Sequence, residues 1–394
     1  MTSGVLGPFL EKDHAALAER LESLEESKLV PALSAARSVE DKARRVAQVL
    51  AEEGLFALAV PSTYGGSHPE ADVRGVCLVR EFLAGVHGVA DFVFATQMQG
   101  AYLVAQSAEE PLKSEVLRQV VEGKVLAAFA STEPDSGSDL GGIACSARRT
   151  SQAYVLNGTK TYVTNAGIAD FFVVFARTDP AARIGGLTAF YVPASTEGLE
   201  VKPGPELAAP IPMGELVFVQ CRVPRAHRLG AEGEGYGLAQ QTLVNFRPAT
   251  GAAAVGIARR ALAEAVRHLG ERRQFGRPLA SFQALRFAIA EMATDLEAAR
   301  SLVYRAAWAL DHGESSAALS SQALLHAVET ARRIVERSVQ LLGARGLVAG
   351  ETVERLSREV RLLGVATGTP EVQKMIVARA LLGEVRRDAS PPAT

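Results

Sequence analysis

The sequence predicts a mainly α-helical protein with a central β domain, because two stretches of helical periodicity flank one stretch of short β-branched and aromatic runs. From Glu11 to about Gly123, Ala, Leu, Glu, Arg and Val recur at three-four spacing, broken by a turn segment from Pro61 to Pro69. The texture then changes, and after Gly237 it changes back. The expected division is an N-terminal helical domain over 1–123, a β domain over 124–237 and a C-terminal helical bundle over 238–394.

In the middle region, Tyr154 to Leu156, Thr159 to Thr164, Phe171 to Arg177, Leu187 to Val192 and Glu215 to Val223 read as strands. Asn157-Gly158 lies between the first two and reads as a type I′ hairpin turn, since both central residues must take positive φ. A small antiparallel barrel or sandwich accommodates this pattern. In the last region Phe282, Leu285, Ile289, Met292, Leu296, Ala299 and Val303 alternate three and four residues apart, which draws one apolar stripe along a long helix. A second helix, Ser315 to Leu342, carries Leu324, Val328, Ile334, Val335, Val339 and Leu342, with Gly343 placed to cap it. Pro391, Pro392 and their neighbours read as a loose tail.

A chain of 394 residues can bury a large core and hold a cofactor between domains. With 42 basic against 44 acidic residues and no long run of one sign, charge argues against a nucleic-acid partner. The three cysteines, Cys77, Cys145 and Cys221, are odd in number and far apart, which fits reduced thiols filling a core in a cytoplasmic protein. The start has acids at Glu11 and Asp13 and lacks the basic and apolar segments of a signal peptide, and no run has the length of a membrane span.

Several nucleotide and metal motifs are missing. Gly230 to Gly237 (G-A-E-G-E-G-Y-G) has glycines but neither the G-x-G-x-x-G spacing nor the βαβ unit of a nicotinamide site. There is no G-x-x-x-x-G-K-[ST] phosphate loop and no G-x-S-x-G nucleophile elbow. The seven histidines, at 14, 68, 87, 227, 268, 312 and 326, include no pair at metal-ligand spacing, so no metal is expected.

One loop stands out. Phe129-Ala-Ser-Thr-Glu-Pro-Asp-Ser-Gly-Ser-Asp139 follows an apolar strand and gathers hydroxylic residues around Pro134 and Gly137, so it can bring hydroxyls and backbone N–H groups against a ring edge or a phosphate. Taken alone it is an ordinary polar turn. Further on come Asn157-Gly-Thr-Lys-Thr-Tyr-Val-Thr-Asn165, Arg272-Arg-Gln-Phe-Gly276, Gln340-Leu-Leu-Gly-Ala-Arg-Gly346 and Ala366-Thr-Gly-Thr-Pro-Glu-Val-Gln373. In this order and spacing the five segments resemble the T-E-P-G-A-G-S-D, N-G-x-K-x-W-I-T-N, R-x-x-F-G, Q-x-x-G-G-x-G and Y-E-G-T-x-x-x-Q motifs of the acyl-CoA dehydrogenases. The resemblance covers nearly the whole chain, and that family has the same helical, β, helical order, ending in a four-helix bundle.

The resemblance implies a cytoplasmic FAD-dependent oxidoreductase acting on an acyl thioester, with the acyl group carried by CoA or by an acyl carrier protein. It implies that Phe129, Ser131, Thr132 and Ser138 line the flavin and that Tyr162, Val163 and Thr164 pack on its other side. Arg272 and Phe275 would reach the adenosine and pyrophosphate end of a partner's FAD, where a guanidinium suits a phosphate pair. Gln340, Gly343, Thr369 and Glu371 would complete the cofactor shell, and Ser138, Phe246 and Arg247 would face the substrate. A homodimer or homotetramer is implied, with electron-transfer flavoprotein or oxygen as acceptor.

The chain departs from the pattern at the base. The family's reaction removes a proton next to the thioester carbonyl, which needs a positioned base and hydrogen bonds to the developing enolate oxygen. The position of the usual glutamate holds Thr367, and the alternative position, before an arginine on the earlier helix, holds Phe246 in the pair Phe246-Arg247. The backbone N–H of Thr367 is still available to polarise a carbonyl. Asp135, in place of the family's glycine, is an extra carboxylate that can substitute as base, or else a turn residue bonding its own backbone. Glu81 and His87, on a first-domain helix that by the resemblance borders the substrate cavity, are further candidates. Two alternatives keep the flavin contacts without a base: a flavin-dependent monooxygenase on the same fold, and a flavin-binding protein without turnover.

Overall fold

The computed structural model describes residues 8–314 and 316–388, with side chains described as far as residue 383. The tail around Pro391 and Pro392, and Ser315, lie outside the described residues. Helices lead the chain: α1 (Lys12–Leu24), α2 (Val30–Ser34), α3 (Val39–Glu52), α4 (Val73–Val86), α5 (Gly88–Ser107) and α6 (Glu110–Val121). Eight strands follow: β1 (Ala127–Ala130), β2 (Ser146–Arg149), β3 (Ala153–Thr164), β4 (Phe171–Arg177), β5 (Leu187–Pro193), β6 (Leu199–Pro203), β7 (Met213–Pro224) and β8 (Arg228–Leu229). Then come α7 (Gly235–Glu271), a short hairpin of β9 (Arg273–Gln274) and β10 (Arg277–Pro278), and α8 (Gln283–Asp311), α9 (Ala317–Leu342), α10 (Thr352–Leu363) and α11 (Pro370–Asp388). The chain forms two compact units. One is Arg20–Val76 with His87–Leu243; the other takes the segment up to Glu19, Cys77–Val86 and the chain from Val244 on.

In the first unit the strands form one sheet in the order β6-β7-β3-β2-β4-β5-β8, with β1 added beside β4. Most pairings are antiparallel, but β1 runs parallel to β4, from Ala127 opposite Phe171 to Ala130 opposite Val174. The sheet's core is built from Phe171, Phe172, Phe175, Phe190 and Leu216. Helix α5 is apolar nearly all round and correspondingly buried nearly all round. Its Gln97 binds the sheet at two points, donating from Nε2 to the Val125 carbonyl (3.0 Å) and accepting from the Ala127 N–H (2.6 Å). Asn165 adds a bond from Nδ2 to the Ala127 carbonyl (3.3 Å). β1, and with it the loop it feeds, is thus fixed from both sides.

Asn157-Gly158 is not a turn. Both residues lie inside β3, where the register against β7 slips between Leu156 and Gly158, so the pair makes a bulge. Gly158 has φ +144° and approaches Cys145 so closely that a Cβ there would stand 2.8 Å from the Cys145 Cα. Of the two positive φ values read from the sequence only that of Gly158 is present; the close approach and the slipped register, neither visible locally, use it for a bulge. The hairpin that joins β2 to β3 turns instead at 150–152, closed by the Thr150 N–H donating to the Ala153 carbonyl (2.8 Å).

In the second unit α9 packs against α8, α10 and α11. The expected stripe on α8 is there: Met292, Leu296, Ala299 and Val303 are buried, while Leu285 and Ile289 are half-buried. Helix α9 begins at Ser316, whose hydroxyl accepts from the Leu319 N–H (3.3 Å), and ends at Gly343, φ +60°. Cys77–Val86 crosses α7 at a glycine: a Cβ on Gly256 would stand 1.9 Å from the Glu81 carbonyl oxygen. The three cysteines are buried and free, as core residues.

Candidate active site

The loop after β1 is held by charges inside the protein. Glu133 and Ser136 exchange backbone hydrogen bonds (2.8 and 3.2 Å), which closes a tight turn over Pro134 and Asp135. The Glu133 carboxylate accepts from Lys160 Nζ (2.7 Å) and from the N–H groups of Ala144 (2.6 Å) and Cys145 (2.9 Å). Lys160 is fully buried and also donates to the Ser131 carbonyl (3.2 Å), while the Thr161 N–H donates to the Thr132 carbonyl (3.0 Å). Burial pulls the Lys160 ammonium below its usual range, and the Glu133 carboxylate opposes this. Loop and strand therefore form one rigid edge, on which Ser131 and Thr132 are half-buried and Ser138 is exposed. The Glu133–Lys160 pair has no signal in the sequence beyond a lysine between two threonines of a strand.

A second bulge in β3 turns a side chain outward. The register jumps between Lys160, opposite Leu216, and Val163, opposite Gly214. Tyr162 in the gap takes φ +53° and shows 53% of its surface, while Val163 beside it is buried and Thr164 is half-buried. A non-glycine residue there carries about 1–3 kcal/mol of strain, held in place by the ladder on both sides. Tyr162 thus faces away from the sheet interior. Phe129 packs against Phe175 at 5.1 Å between centroids, and Asp135 is exposed at the tip of the turn.

The second unit carries the remaining residues. Phe275 (φ +51°) and Gly276 (φ +78°) form the two-residue turn of the β9–β10 hairpin. The Phe275 ring is 90% exposed. At the base of this hairpin a cavity of 610 Å³ is lined by His268, Arg272, Gln274, Gln340, Gly343 and Arg345. Burial, with Arg345 and Arg272 adding to it, pushes His268 below the usual imidazole range. Arg272, Gln340 and Gly343, from two distant motifs, meet in this one cavity.

The loop between α10 and α11 holds Thr367 at φ +56° and Gly368 at φ +103°. Gln373 Nε2 pins it by donating to the carbonyls of Gly368 (3.0 Å) and Thr367 (3.4 Å), and Thr369 Oγ1 accepts from the Val372 N–H (3.4 Å) at the start of α11. Glu371 is exposed, and its own N–H and the Thr369 hydroxyl hold its carboxyl below the usual range. Phe246 and Arg247 are buried on α7, immediately before Pro248. Of the two further candidate bases, Glu81 is engaged by Arg300 Nε (3.1 Å), Tyr304 (2.7 Å) and Arg259 (3.3 Å), which makes it part of a buried ion cluster. His87 accepts the Val89 N–H (3.1 Å) as the N-cap of α5.

Three family models account for most of the chain: the acyl-CoA dehydrogenase N-terminal domain over 11–124, the middle domain over 128–221 and the C-terminal domain over 233–382. The chain belongs to the acyl-CoA dehydrogenase family. It is 33% identical to the 3-(aryl)acrylate reductase of Clostridium sporogenes, over 95% of this chain and 100% of that protein. It is 34% identical to a subunit of the caffeyl-CoA reductase–Etf complex of Acetobacterium woodii, over 84% of this chain and 88% of that one. The structure of butyryl-CoA dehydrogenase from Megasphaera elsdenii matches with a TM-score of 0.89 at 32% identity, covering 95% of this chain and 99% of that one. As a member of this family the protein is a FAD-dependent oxidoreductase acting on the CH–CH group of an acyl-CoA thioester. Its relatives are dehydrogenases and reductases, and none favours the monooxygenase alternative. Among the described residues no helix is long and apolar enough to cross a membrane.

Proposed function

We propose that this acyl-CoA dehydrogenase works with the side chains placed by its two polar edges. The observation that carries the reading is the rigid edge of the first unit, where the Thr132 loop is locked to β3 and Tyr162 is turned outward beside it. Its donor set fits a flavin: hydroxyls at Ser131, Thr132 and Ser138 for the ring's polar edge, and Phe129, Tyr162, Val163 and Thr164 for its faces. The cavity of Arg272, Gln340 and Gly343 suits the pyrophosphate of a second copy's FAD, with Phe275 beside the adenosine and Thr369 and Glu371 completing the shell. FAD supplies the hydride acceptor or donor. The protein's part is to orient the acyl group, exclude water and manage the proton.

Thr367 contributes its backbone N–H to the thioester oxygen, and Phe246 and Arg247 flank the acyl group. Asp135 is the substitute base. Asp135→Asn tests this: retained turnover would remove Asp135 from the mechanism. The domain boundaries at 123/124 and 237/238 belong to the same proposal and rest on the change of periodicity at Lys124 and Gly237. A carrier-protein thioester in place of CoA, and a cytoplasmic location, do so too.

Membership of a relative in an Etf complex supports electron-transfer flavoprotein as the redox partner. Exposed apolar side chains on the second unit, among them Phe275, Leu347, Val348, Val365, Met375 and Leu382, support a homodimer or homotetramer formed through that unit. The deciding experiment is to mix the FAD-loaded protein anaerobically with saturated CoA and carrier-protein thioesters, and the pre-reduced protein with unsaturated ones. Bleaching in the first series or recolouring in the second is expected. Silence in both, with product formed only when oxygen meets the reduced flavin, would transfer the site to a monooxygenase.

A further inference from the structure

We infer that the acyl group this enzyme takes carries a carboxylate of its own, seated on Arg247. The inference rests on the acyl-thioester reading and narrows it to short dicarboxylic acyl groups.

The argument begins from a buried charge without a partner. Arg247 is 2% exposed, and neither its Nε nor its Nη1 has a hydrogen-bond partner among the described residues. The other deeply buried arginines of the same unit are engaged: Arg80 donates to Thr250 Oγ1 (2.8 Å) and Arg300 pairs with Glu81 (3.1 Å). Burial brings Arg247 down to about 10, and no neighbouring acid raises it. The guanidinium is still charged at neutral pH. An uncompensated buried charge is unfavourable, and a counter-charge that arrives with the substrate relieves it.

A second group points the same way. Thr367 Oγ1 is also buried without a hydrogen-bond partner. By the resemblance, Thr367 and the residue before Arg247 are the two positions from which a glutamate addresses the acyl carbon; here one is a neutral hydroxyl and the other a phenyl ring. No carboxylate of the chain's own stands at either position to serve as the cation's partner. A plain acyl thioester offers only a carbonyl oxygen, for which the Thr367 N–H suffices. A carboxylate on the acyl group accepts two guanidinium N–H bonds at once, and such charge-assisted pairs are about twice as strong as neutral ones.

Equilibrium binding to the FAD-loaded protein, followed by calorimetry, tests this. Succinyl-CoA, methylmalonyl-CoA and glutaryl-CoA are compared with propionyl-CoA and butyryl-CoA, and at least one of the first group is expected to bind about tenfold tighter or better. In Arg247→Gln that ratio should fall to near one, and Arg247→Lys should recover part of it. The preference of the unmodified enzyme stands as a test even where a variant does not fold. Tight binding of butyryl-CoA without preference for any dicarboxylic thioester would overturn the proposal and leave the acyl-thioester reading intact. Failure of every thioester to bind would overturn both.

Discussion

The loop at 131–139 and the loop at 364–369 both present polar groups at the positions the family uses, yet they are held in opposite ways. In the first, a carboxylate, an ammonium and three backbone groups satisfy one another inside the protein, and the side chains left at the surface include Ser138 and Asp135. In the second, a β-branched residue sits at positive φ with its hydroxyl unpartnered, and one amide oxygen of the glutamine that pins the loop is unpartnered too. The first edge is complete before any ligand arrives, as a site that must hold a rigid ring should be. The second is left incomplete by the chain itself, and its missing contacts are the ones a substrate can supply.

The largest effect should come from completing the second loop artificially. Thr367→Glu places a carboxylate where most of the family carries its base, and a positioned general base is worth about 10²- to 10⁴-fold in rate. The expected outcome is a rise of that order in flavin reduction by butyryl-CoA, measured in anaerobic single turnover. An unchanged rate on every saturated thioester would mean that the acyl group does not lie against this loop.

The next effect comes from breaking the first loop. Glu133→Ala leaves Lys160 buried without its counter-charge, which costs about 3–5 kcal/mol of stability. Denaturant unfolding should show that loss, together with weaker retention of FAD. The double replacement Glu133→Leu with Lys160→Met should recover part of the stability, because it removes both charges at once but leaves the Ala144 and Cys145 N–H groups without their acceptor. Equal losses in the single and double variants would show that the carboxylate acts through these backbone bonds and not through its pairing with Lys160.

The same contrast decides what the sequence made legible. β4 is readable end to end, since six apolar and aromatic residues closed by Arg177 between turn segments read as a strand, and the stripe on α8 is readable because its period is set by the helix itself. The bulges of β3 were not. Asn157-Gly158 announces positive φ but not whether the chain reverses or slips, and only the partner strand β7 decides it. The outward direction of Tyr162 depends on that second slip, so simple alternation assigns the ring to the wrong side. The pairing of Glu133 with Lys160 spans 27 residues and needs the loop folded over the strand. For Thr367 the family motif gave the position, while the left-handed backbone that holds it there came only with the structure.

The smallest effect separates strain from function in the second loop. A threonine at φ +56° is disfavoured by its branched Cβ, at about 1–3 kcal/mol, whereas glycine adopts the same conformation freely and pays about 0.5–1 kcal/mol in the unfolded chain. Thr367→Gly should therefore stabilise the ligand-free protein by roughly 1 kcal/mol, read as a small rise in melting temperature. Tyr162→Gly offers the paired measurement in the first edge. Tyr162 is not β-branched and its ring is largely exposed, so less strain is released there and the gain should be smaller. If Thr367→Gly instead lowers the melting temperature, its half-buried side chain contributes more by packing than its backbone loses by strain, and the loop is then as complete as the one around Glu133.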